Sequence, residues 1–393
     1  MARPTSPSAP FWVCSWKPRT TRIFCPTPMH STITRTTSKT IWMSKLMKAL
    51  AFEQHGMLDQ VRLLELPRPV PAPGEVLLEV RSAALNRLDL WVLEGWPSLR
   101  LKLPHIMGSD GAGIVAAVGE GVKHFQVGHR AAVNPTICND PYDAFARRGL
   151  DNMCDDFAII GEHIDGFFAE YVTVPERNLL SLPEHISFDV AAAASLVFVT
   201  AWHSLVTRGK VQAGESVLVV GAGGGVNTAA IQIARLIGAG SIMVVGSSES
   251  KLALARALGA DITINRNEAD WSREVYRLTG KQGVDVVVDN VGAATFPQSL
   301  RALRRGGRLL TVGNSSGPKL EIDNRFIFSK HLSIIGSTMG TSIDYETVMG
   351  LIFNGRLQPV IDTVYPLDEG FTALRRLQAG DVVGKLVLNI RQE

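Results

Sequence analysis

The first 52 residues lack aspartate and glutamate, although the whole chain carries 37 acidic residues against 40 lysines and arginines. Because the net charge is only +3, we expect no nucleic-acid partner. Runs of about 18 to 20 apolar residues are also missing, so we expect no membrane-spanning helix and no membrane partner. The four cysteines are too few and too scattered to suggest a disulfide framework, and they favour a reducing cytoplasm.

The first 46 residues combine serine, threonine and arginine with six prolines and show no helical periodicity. An acid-free start of this kind is typical of an organelle transit segment, but the prolines oppose the amphipathic helix that such segments form. The alternatives are an unstructured tail, or translated sequence upstream of a start at Met43 or Met47. We therefore exclude residues 1–46 from the fold and expect a cytoplasmic protein.

The rest of the chain predicts two domains. Residues 47–196 contain short apolar runs separated by glycine and proline, such as GEVLLEVRSAAL and AEYVTVP, which indicate a β-rich domain. In residues 197–336, strands that are apolar throughout alternate with helices, which predicts an α/β domain with a doubly wound parallel sheet. Residues 337–393 end in the strand GKLVLNI, which we expect to rejoin the first domain.

A glycine-rich turn, GAGGGVN, joins a buried strand to a helix at residues 221–227. Its glycines let backbone amides approach a diphosphate, and the helix N-terminus adds partial positive charge and unpaired N–H groups. A third glycine usually ends this motif, whereas Asn227 stands here and predicts a helix slightly further from the strand. The expected cofactor-binding residues are Thr200, Gly223, Gly224, Gly225, Val226, Ser247, Ser248, Lys251, Arg266, Asn290, Val291 and Gly313.

The next strand, SIMVV, indicates which dinucleotide binds. It ends in Gly246, Ser247 and Ser248, where NAD-preferring sites usually carry a carboxylate for the adenine ribose. A carboxylate would repel a 2′-phosphate, whereas two hydroxyl groups and the nearby Lys251 attract one, so we favour NADPH over NADH. The exception is Glu249, which we interpret as a helix-capping residue.

Several segments in this order resemble the medium-chain dehydrogenase/reductase superfamily: AALNRLDLWVLEG, HIMGSDGAGIVAAVGEGV, GEHIDGFFAEYVTVP, VFVTAWHSL and the glycine-rich turn. The resemblance covers Met47 to Glu393 and is nearest to the zinc-binding alcohol dehydrogenase-like and quinone oxidoreductase-like group, which includes acryloyl-CoA reductase-type enzymes. It implies a GroES-like substrate domain split around a Rossmann domain. It also implies an active-site cleft between them and a homodimer or homotetramer.

The same resemblance shows where the metal ligands of zinc-using members would fall. A cysteine, a histidine and a second cysteine hold the catalytic zinc in those members, and Asn86, Ser109 and Leu196 occupy these positions here. Neither an amide nor an aliphatic chain replaces a thiolate, so we predict no catalytic zinc. Of the four cysteines that hold the family's structural zinc, only Cys138 and Cys154 remain. Asp140 or Asp143 would replace the missing cysteines poorly, so we expect no structural zinc either.

Without a metal, the hydride would go to an electron-poor carbon of an activated alkene, an enone or a quinone. Preorganised donors must then stabilise the charge on the conjugated oxygen, and we expect the Asn86 amide and backbone N–H groups to do so. The resemblance adds the ribose hydroxyl of the cofactor. Asp89 and Asp110 either position a donor or a water network, or anchor a loop. Glu162 and His163 form a polar pair near the cleft, in which His163 is either a general acid or a surface residue.

Three hypotheses follow. The first is an NADPH-dependent reductase of activated double bonds or quinones that acts on a small molecule without zinc. The second is an alcohol dehydrogenase that binds a metal through unusual ligands such as Asp110, Glu162 and His163. The third is a non-catalytic NADPH-binding or structural protein.

Overall fold

The computed structural model describes residues 45–391. Its strands are β1 (Leu46–Phe52), β2 (Val61–Pro67), β3 (Glu75–Ala84), β4 (His105–Ile106), β5 (Asp110–Val118), β6 (Arg130–Val133), β7 (Thr136–Ile137), β8 (Ala158–Ile159), β9 (Tyr171–Pro175), β10 (Leu179–Ser181), β11 (Ser216–Val220), β12 (Ser241–Gly246), β13 (Ile262–Asn265), β14 (Val284–Asp289), β15 (Leu303–Thr311), β16 (Ser333–Gly336), β17 (Ile361–Pro366) and β18 (Lys385–Asn389).

The helices are α1 (Arg87–Glu94), α2 (Phe188–Trp202), α3 (Gly225–Leu236), α4 (Glu249–Ala257), α5 (Trp271–Leu278), α6 (Phe296–Ala302), α7 (Asn324–Lys330), α8 (Ser342–Phe353) and α9 (Gly370–Ala379). The expectations for the N-terminal extension lie outside the described residues, except at Lys45 and Leu46, where Leu46 opens β1.

Six parallel strands form one sheet in the order β13-β12-β11-β14-β15-β16. The side chains of β11 alternate between two cores, with Val217 and Val219 in one and Leu218 and Val220 in the other. A strand with both faces buried must be apolar throughout, which explains the sequence SVLVV. The strand order is that of a Rossmann fold and confirms the predicted α/β class.

The β-rich part contains a seven-stranded sheet in the order β10-β6-β5-β3-β18-β17, with β9 also paired to β3. A separate three-stranded sheet has the order β2-β1-β4. Strand β18 lies antiparallel to β3, opposite Ala84, so the C-terminal segment completes the sheet begun by the first part of the chain. The GKLVLNI segment contains this strand.

Helix α2 joins the two sheets. The predicted boundary after Leu196 falls inside this helix, which packs against β3 and β5 on one side and against α3 and α8 on the other. With the π-helical turn that follows, it forms a 21-residue helix, Phe188–Arg208, that is long and apolar enough to cross a membrane. A membrane-spanning helix is not predicted from the sequence, so this long apolar helix is a difference from that expectation. Because 78% of its most apolar stretch is buried inside the protein, it is a core helix.

Cys138 and Cys154 form a disulfide that closes a loop with a sequence separation of 16 residues. Four scattered cysteines do not suggest a disulfide framework, so this single disulfide is not predicted from the sequence. The two sulfur atoms meet because the chain folds back between β7 and the short 3-10 turn Asp151–Met153. The carboxylate that lies within 4.8 Å of the two sulfurs is that of Asp156, whereas Asp140 approaches Cys138 Sγ through its backbone carbonyl, at 3.6 Å.

Candidate active site

A cleft of about 1230 Å³ opens where the strand order of the parallel sheet reverses, between β11 and β14. Ligands of open α/β sheets bind at such a point, beyond the carboxyl ends of the strands. The expected cofactor-binding residues line this cleft, namely Thr200, Gly223, Gly224, Gly225, Val226, Ser247, Lys251, Arg266, Asn290, Val291 and Gly313. Ser248 is the exception: it precedes α4, and its hydroxyl lies 3.1 Å from that of Ser250.

Asn227, in place of the usual third glycine, links the glycine-rich turn to a neighbouring loop. Its Nδ2 donates to the carbonyl of Val220 at 3.2 Å, and its Oδ1 accepts from Asn290 Nδ2 at 2.8 Å. The side chain lies directly against Gly221, where φ is +107° and a Cβ would come within 2.4 Å of Asn227 Nδ2. Asn227 therefore fills the space beside Gly221 and fixes the end of β11.

The C-terminal segment lies against the same turn. The Gly384 amide donates to the Gly223 carbonyl at 2.8 Å, and Lys251 Nζ donates to the Gly380 carbonyl at 3.0 Å. A Cβ at Gly225 would come within 2.8 Å of Lys385 Cδ. The turn is therefore held from both sides, which limits how far it can move.

The cleft fits a dinucleotide by its chemistry. Helix α3 begins at Gly225 inside the cleft, and the first amides of a helix have no partners within it. Two further buried atoms on the wall, Ser337 Oγ and Asn290 Oδ1, have no hydrogen-bonding partner in the structure. Buried polar atoms are costly when unpaired, so these atoms mark places where a polar ligand would be stabilised.

The side chains at the three positions of the catalytic zinc ligands do not fit a zinc ion. Asn86 Oδ1 accepts from Lys385 Nζ at 2.6 Å, so an ammonium group already occupies this acceptor. The Ser109 hydroxyl is fully buried without a partner, and Leu196 offers only an aliphatic side chain. Zinc in proteins takes thiolate, imidazole or carboxylate ligands, and none of these three side chains provides one.

The Asn86 amide does not donate as expected. Its Nδ2 donates to Asp110 Oδ2 at 2.9 Å and, at longer range, to the Ala84 carbonyl at 3.4 Å. An amide nitrogen has only two N–H bonds, and both are directed at protein oxygens. Asn86 lines the cleft, but its donors are already used in this geometry.

Lys385 is the residue that the sequence analysis missed. It opens β18, its side chain is only 4% exposed, and its Nζ lies 2.9 Å from Asp110 Oδ2. The register of three adjacent strands brings these residues together, because Asp110 lies opposite Ala84 in β3 and Ala84 lies opposite Val387 in β18. A single lysine within an apolar strand was the available signal, since a buried lysine requires a partner.

The two aspartates hold the site from behind the cleft and do not line it. Asp89 Oδ2 accepts from the Asn86 backbone amide at 2.7 Å and forms the N-terminal capping box of α1. Burial raises the pKa of Asp89 to about 7, against the opposing effect of this hydrogen bond. Asp110 Oδ1 accepts from the Leu196 amide at 2.6 Å, which ties β5 to α2.

Glu162 faces the cleft from a loop that packs on the segment before β5. Gly161 permits this approach, because φ is +82° and a Cβ would lie 2.2 Å from the Gly108 carbonyl oxygen. The Glu162 side chain is 12% exposed, and burial alone raises its pKa to about 7. A carboxyl group of this kind holds a proton at neutral pH more readily than an exposed one.

His163 is not among the residues that line the cleft. Its Nδ1 accepts from the Ile159 amide at 3.1 Å, and its Nε2 lies 3.7 Å from Glu162 Oε1. Burial lowers the pKa of His163, which favours the neutral ring. Of the two alternatives for His163, a general acid or a surface residue, its position outside the lining of the cleft favours the surface residue.

Comparisons with known proteins identify the family of the chain. Residues 72–184 match the alcohol dehydrogenase GroES-like domain, and residues 225–354 match the zinc-binding dehydrogenase family. The second match includes neither Asn86, Ser109 nor Leu196, so it carries no information about the metal positions.

Individual relatives match almost throughout their length. Acryloyl-coenzyme A reductase of Metallosphaera sedula is 31% identical, with 87% of this chain and 99% of that protein covered. Human quinone oxidoreductase is 29% identical, with 88% of this chain and 98% of that protein covered. An NAD-dependent alcohol dehydrogenase of known crystal structure is 41% identical in sequence. The two structures superpose with a TM-score of 0.84, and 88% of this chain and 100% of that chain are covered. The chain therefore belongs to the medium-chain dehydrogenase/reductase superfamily and is an NAD(P)-dependent oxidoreductase.

Proposed function

We propose that the protein is an NADP(H)-dependent reductase that transfers a hydride to an activated alkene, an enone or a quinone without catalytic zinc. The observation that carries this proposal is the side-chain set Asn86, Ser109 and Leu196, which offers no thiolate or imidazole to a metal. Two relatives, the acryloyl-coenzyme A reductase and the quinone oxidoreductase, are named for reductions of this class and support it.

In this proposal the glycine-rich turn and the N-terminus of α3 hold the diphosphate. The preference for NADPH is supported at the other end of the cleft, where Ser247, Lys251 and Arg266 provide a hydroxyl group and two cations. The nearby Glu249 forms an ion pair with Arg256, so its carboxylate is partly neutralised. A bound NADPH would supply the hydride from C4 of its nicotinamide ring.

The chain itself must exclude water and deliver a proton. The apolar side chains of Leu196, Val197 and Trp91 line the cleft near Asn86 and favour an apolar substrate. Glu162 lines the same region, and its raised pKa of about 7 makes it suitable as a general acid. We therefore propose that Glu162 delivers the proton that completes the reduction.

Assembly and location belong to the same proposal. We propose a small-molecule substrate, no nucleic-acid or membrane partner, and a homodimer or homotetramer. Strand β16 is an edge strand with Ser333 and Ile334 exposed, and unpaired edges are places where strands of a second copy can pair. A cytoplasmic location stays a prediction. The Cys138–Cys154 disulfide argues against it, because disulfides are rare in reducing compartments.

An alcohol dehydrogenase is the second candidate, favoured by the 41% identity to an NAD-dependent alcohol dehydrogenase. It would need a metal held by Asp110, Glu162 and His163. Against it, Asp110 already accepts from Lys385 and from the Leu196 amide, and His163 Nδ1 accepts from the Ile159 amide. A non-catalytic NADPH-binding protein would bind cofactor tightly and turn over no acceptor.

Steady-state oxidation of NADPH and NADH with a quinone, an enal and an enoyl-CoA ester tests the proposal. We expect turnover with at least one of these acceptors and faster turnover with NADPH than with NADH. Dialysis against a chelator should not lower the turnover. Turnover of simple aldehydes alone, abolished by the chelator, would instead support the alcohol dehydrogenase.

A further inference from the structure

We propose that the Lys385 ammonium group stabilises the substrate oxygen during reduction and so provides the positive charge that a metal ion would otherwise supply. This inference rests on the proposed reduction of an activated double bond or quinone. It assigns a catalytic role to a residue outside the glycine-rich turn and outside the positions of the metal ligands.

Two hydrogen bonds fix the ammonium group at the wall of the cleft. Lys385 Nζ donates to Asn86 Oδ1 at 2.6 Å and to Asp110 Oδ2 at 2.9 Å. An ammonium group has three N–H bonds, so one remains after these two contacts. Lys385 and Asn86 both line the cleft, together with Leu196 and Thr200, so in this proposal the third N–H is the one that the substrate oxygen contacts.

The partners of Lys385 explain why it, rather than Asn86, would contact the substrate. Both N–H bonds of Asn86 are directed at Asp110 and Ala84. Asn86 can therefore only accept from Lys385, and it acts as a positioning residue together with Asp110. The Asp110 carboxylate is fully buried, and its other oxygen is held by the Leu196 amide.

A buried ion pair is a costly way to stabilise a fold. Removing two charges from water costs free energy that their attraction often fails to recover, and well-packed apolar residues would serve equally well. Lys385 and Asp110 are 4% and 0% exposed, yet the pair lies at the wall of a cleft. A cation that is already desolvated and fixed needs no reorganisation when negative charge develops beside it.

The reaction needs such a cation at one defined moment. Addition of a hydride to the β-carbon of an enone forms a C–H bond and moves the π-electron pair onto the conjugated oxygen, while NADPH becomes NADP⁺. The oxygen then carries the negative charge that Lys385 would stabilise. One proton, from Glu162 in our proposal, adds to the α-carbon as the electron pair returns, and this restores the carbonyl group.

The competing role for Lys385 is binding of the cofactor diphosphate. Its side chain passes close to Gly225, at the start of α3, where a Cβ would lie 2.8 Å from Lys385 Cδ. The two roles predict different losses. A diphosphate ligand affects cofactor affinity, whereas a group that stabilises the reacting oxygen affects the rate of hydride transfer once the cofactor is bound.

The test uses a variant in which both buried charges are removed, Lys385→Met with Asp110→Asn, because Lys385→Met alone would leave Asp110 buried without a cation. The matched control is Lys330→Met, since Lys330 is also partly buried and donates to the Arg301 and Leu303 carbonyls. The dissociation constants of NADPH and ADP-ribose are measured by calorimetry. The rate constant of hydride transfer at saturating NADPH is measured by stopped flow.

We expect the double variant to lose about 100-fold or more in the rate constant of hydride transfer. Its affinity for ADP-ribose should change by less than about threefold, and Lys330→Met should leave both quantities unchanged. A large loss of ADP-ribose affinity with an unchanged rate constant would show a diphosphate ligand and overturn the inference. If neither the rate constant of hydride transfer nor the affinity for ADP-ribose changed, the ion pair would be purely structural and the inference would be wrong. Wild-type protein that reduces none of the acceptors would refute the proposed function itself.

Discussion

Two buried carboxyl groups, Glu162 and Asp89, have their pKa raised to about 7, in both cases mainly by burial. Their roles differ because of where they lie. Asp89 accepts from the Asn86 amide and caps α1, whereas Glu162 lines the cleft, with His163 Nε2 3.7 Å from its Oε1. A perturbed pKa therefore indicates a candidate residue, and the geometry decides whether it reaches the substrate.

Glu162→Gln should raise the free energy of unfolding at pH 8 by about 3 kcal/mol. In the wild type the pKa of Glu162 lies above its ordinary value of 4.5, so the folded state binds more protons than the unfolded state between about pH 4.5 and 7. Stability is therefore lost as the pH rises through this window. Urea unfolding at pH 5 and pH 8 measures the difference, with Glu346→Gln, at an exposed position of α8, as the control. If Glu162→Gln and Glu346→Gln changed the free energy of unfolding equally, the raised pKa of Glu162 would be contradicted.

Ser247→Asp should weaken NADPH binding by about tenfold or more and leave NADH binding within about threefold, since about 1.4 kcal/mol of repulsion corresponds to a factor of ten. Ser247 lines the cleft after β12, where a carboxylate would repel a 2′-phosphate. Fluorescence titration with both cofactors measures the change. Ser250→Asp, on the exposed side of α4, should alter neither affinity. A matched loss for NADH and NADPH would show that no 2′-phosphate binds there.

At the scale of elements, the parallel sheet was predictable because burial on both faces leaves its strands apolar throughout, as in β11 and β12. Helix α1 was not predicted, since its eight residues show little periodicity and its start depends on the capping box of Asn86 and Asp89. The boundary after Leu196 was placed inside α2, because a helix shared by two cores carries no polar break.

The candidate site was predictable where it is local in sequence and not where it depends on strand pairing. The residues of the glycine-rich turn lie within one βα unit, so spacing alone identifies them. Lys385 contacts Asn86 and Asp110 across 299 and 275 residues of sequence. Only the register of β18 on β3 brings them together, and no pattern in a single sequence specifies that register.

Cys138→Ser should lower the free energy of unfolding by about 3 kcal/mol, as expected for removal of a cross-link that closes a loop of this size. Urea unfolding under non-reducing conditions measures the loss. Cys154→Ser should have a similar effect, and the double variant should lose no more than either single variant. Additive losses would show that the two sulfurs contribute separately and are not bonded.

At the scale of the whole molecule, the C-terminal segment connects the two parts of the cleft. It pairs with β3 through β18, and it contacts the glycine-rich turn through Gly384 and Gly223. Lys385 lies between these two contacts. Cofactor binding to the turn and the position of the ammonium group are therefore mechanically linked through one strand.

Ile334→Lys should dissociate the proposed oligomer. Ile334 is 39% exposed on the edge strand β16, and a lysine there opposes pairing with a second copy. Light scattering coupled to size-exclusion chromatography measures the mass. Ile343→Lys, at a site 64% exposed on α8, should leave the mass unchanged. A monomeric wild type would refute the oligomer, and an oligomeric Ile334→Lys variant would place its interface elsewhere.

The most direct test of the whole account is the metal content of active protein. The zinc content is measured by plasma mass spectrometry before and after dialysis against a strong chelator. The rate of NADPH oxidation with the best acceptor is measured on the same samples. We predict less than about 0.1 zinc per chain in both samples and equal turnover. About one zinc per chain, lost together with activity and restored together with it, would contradict the assignment of a metal-free site.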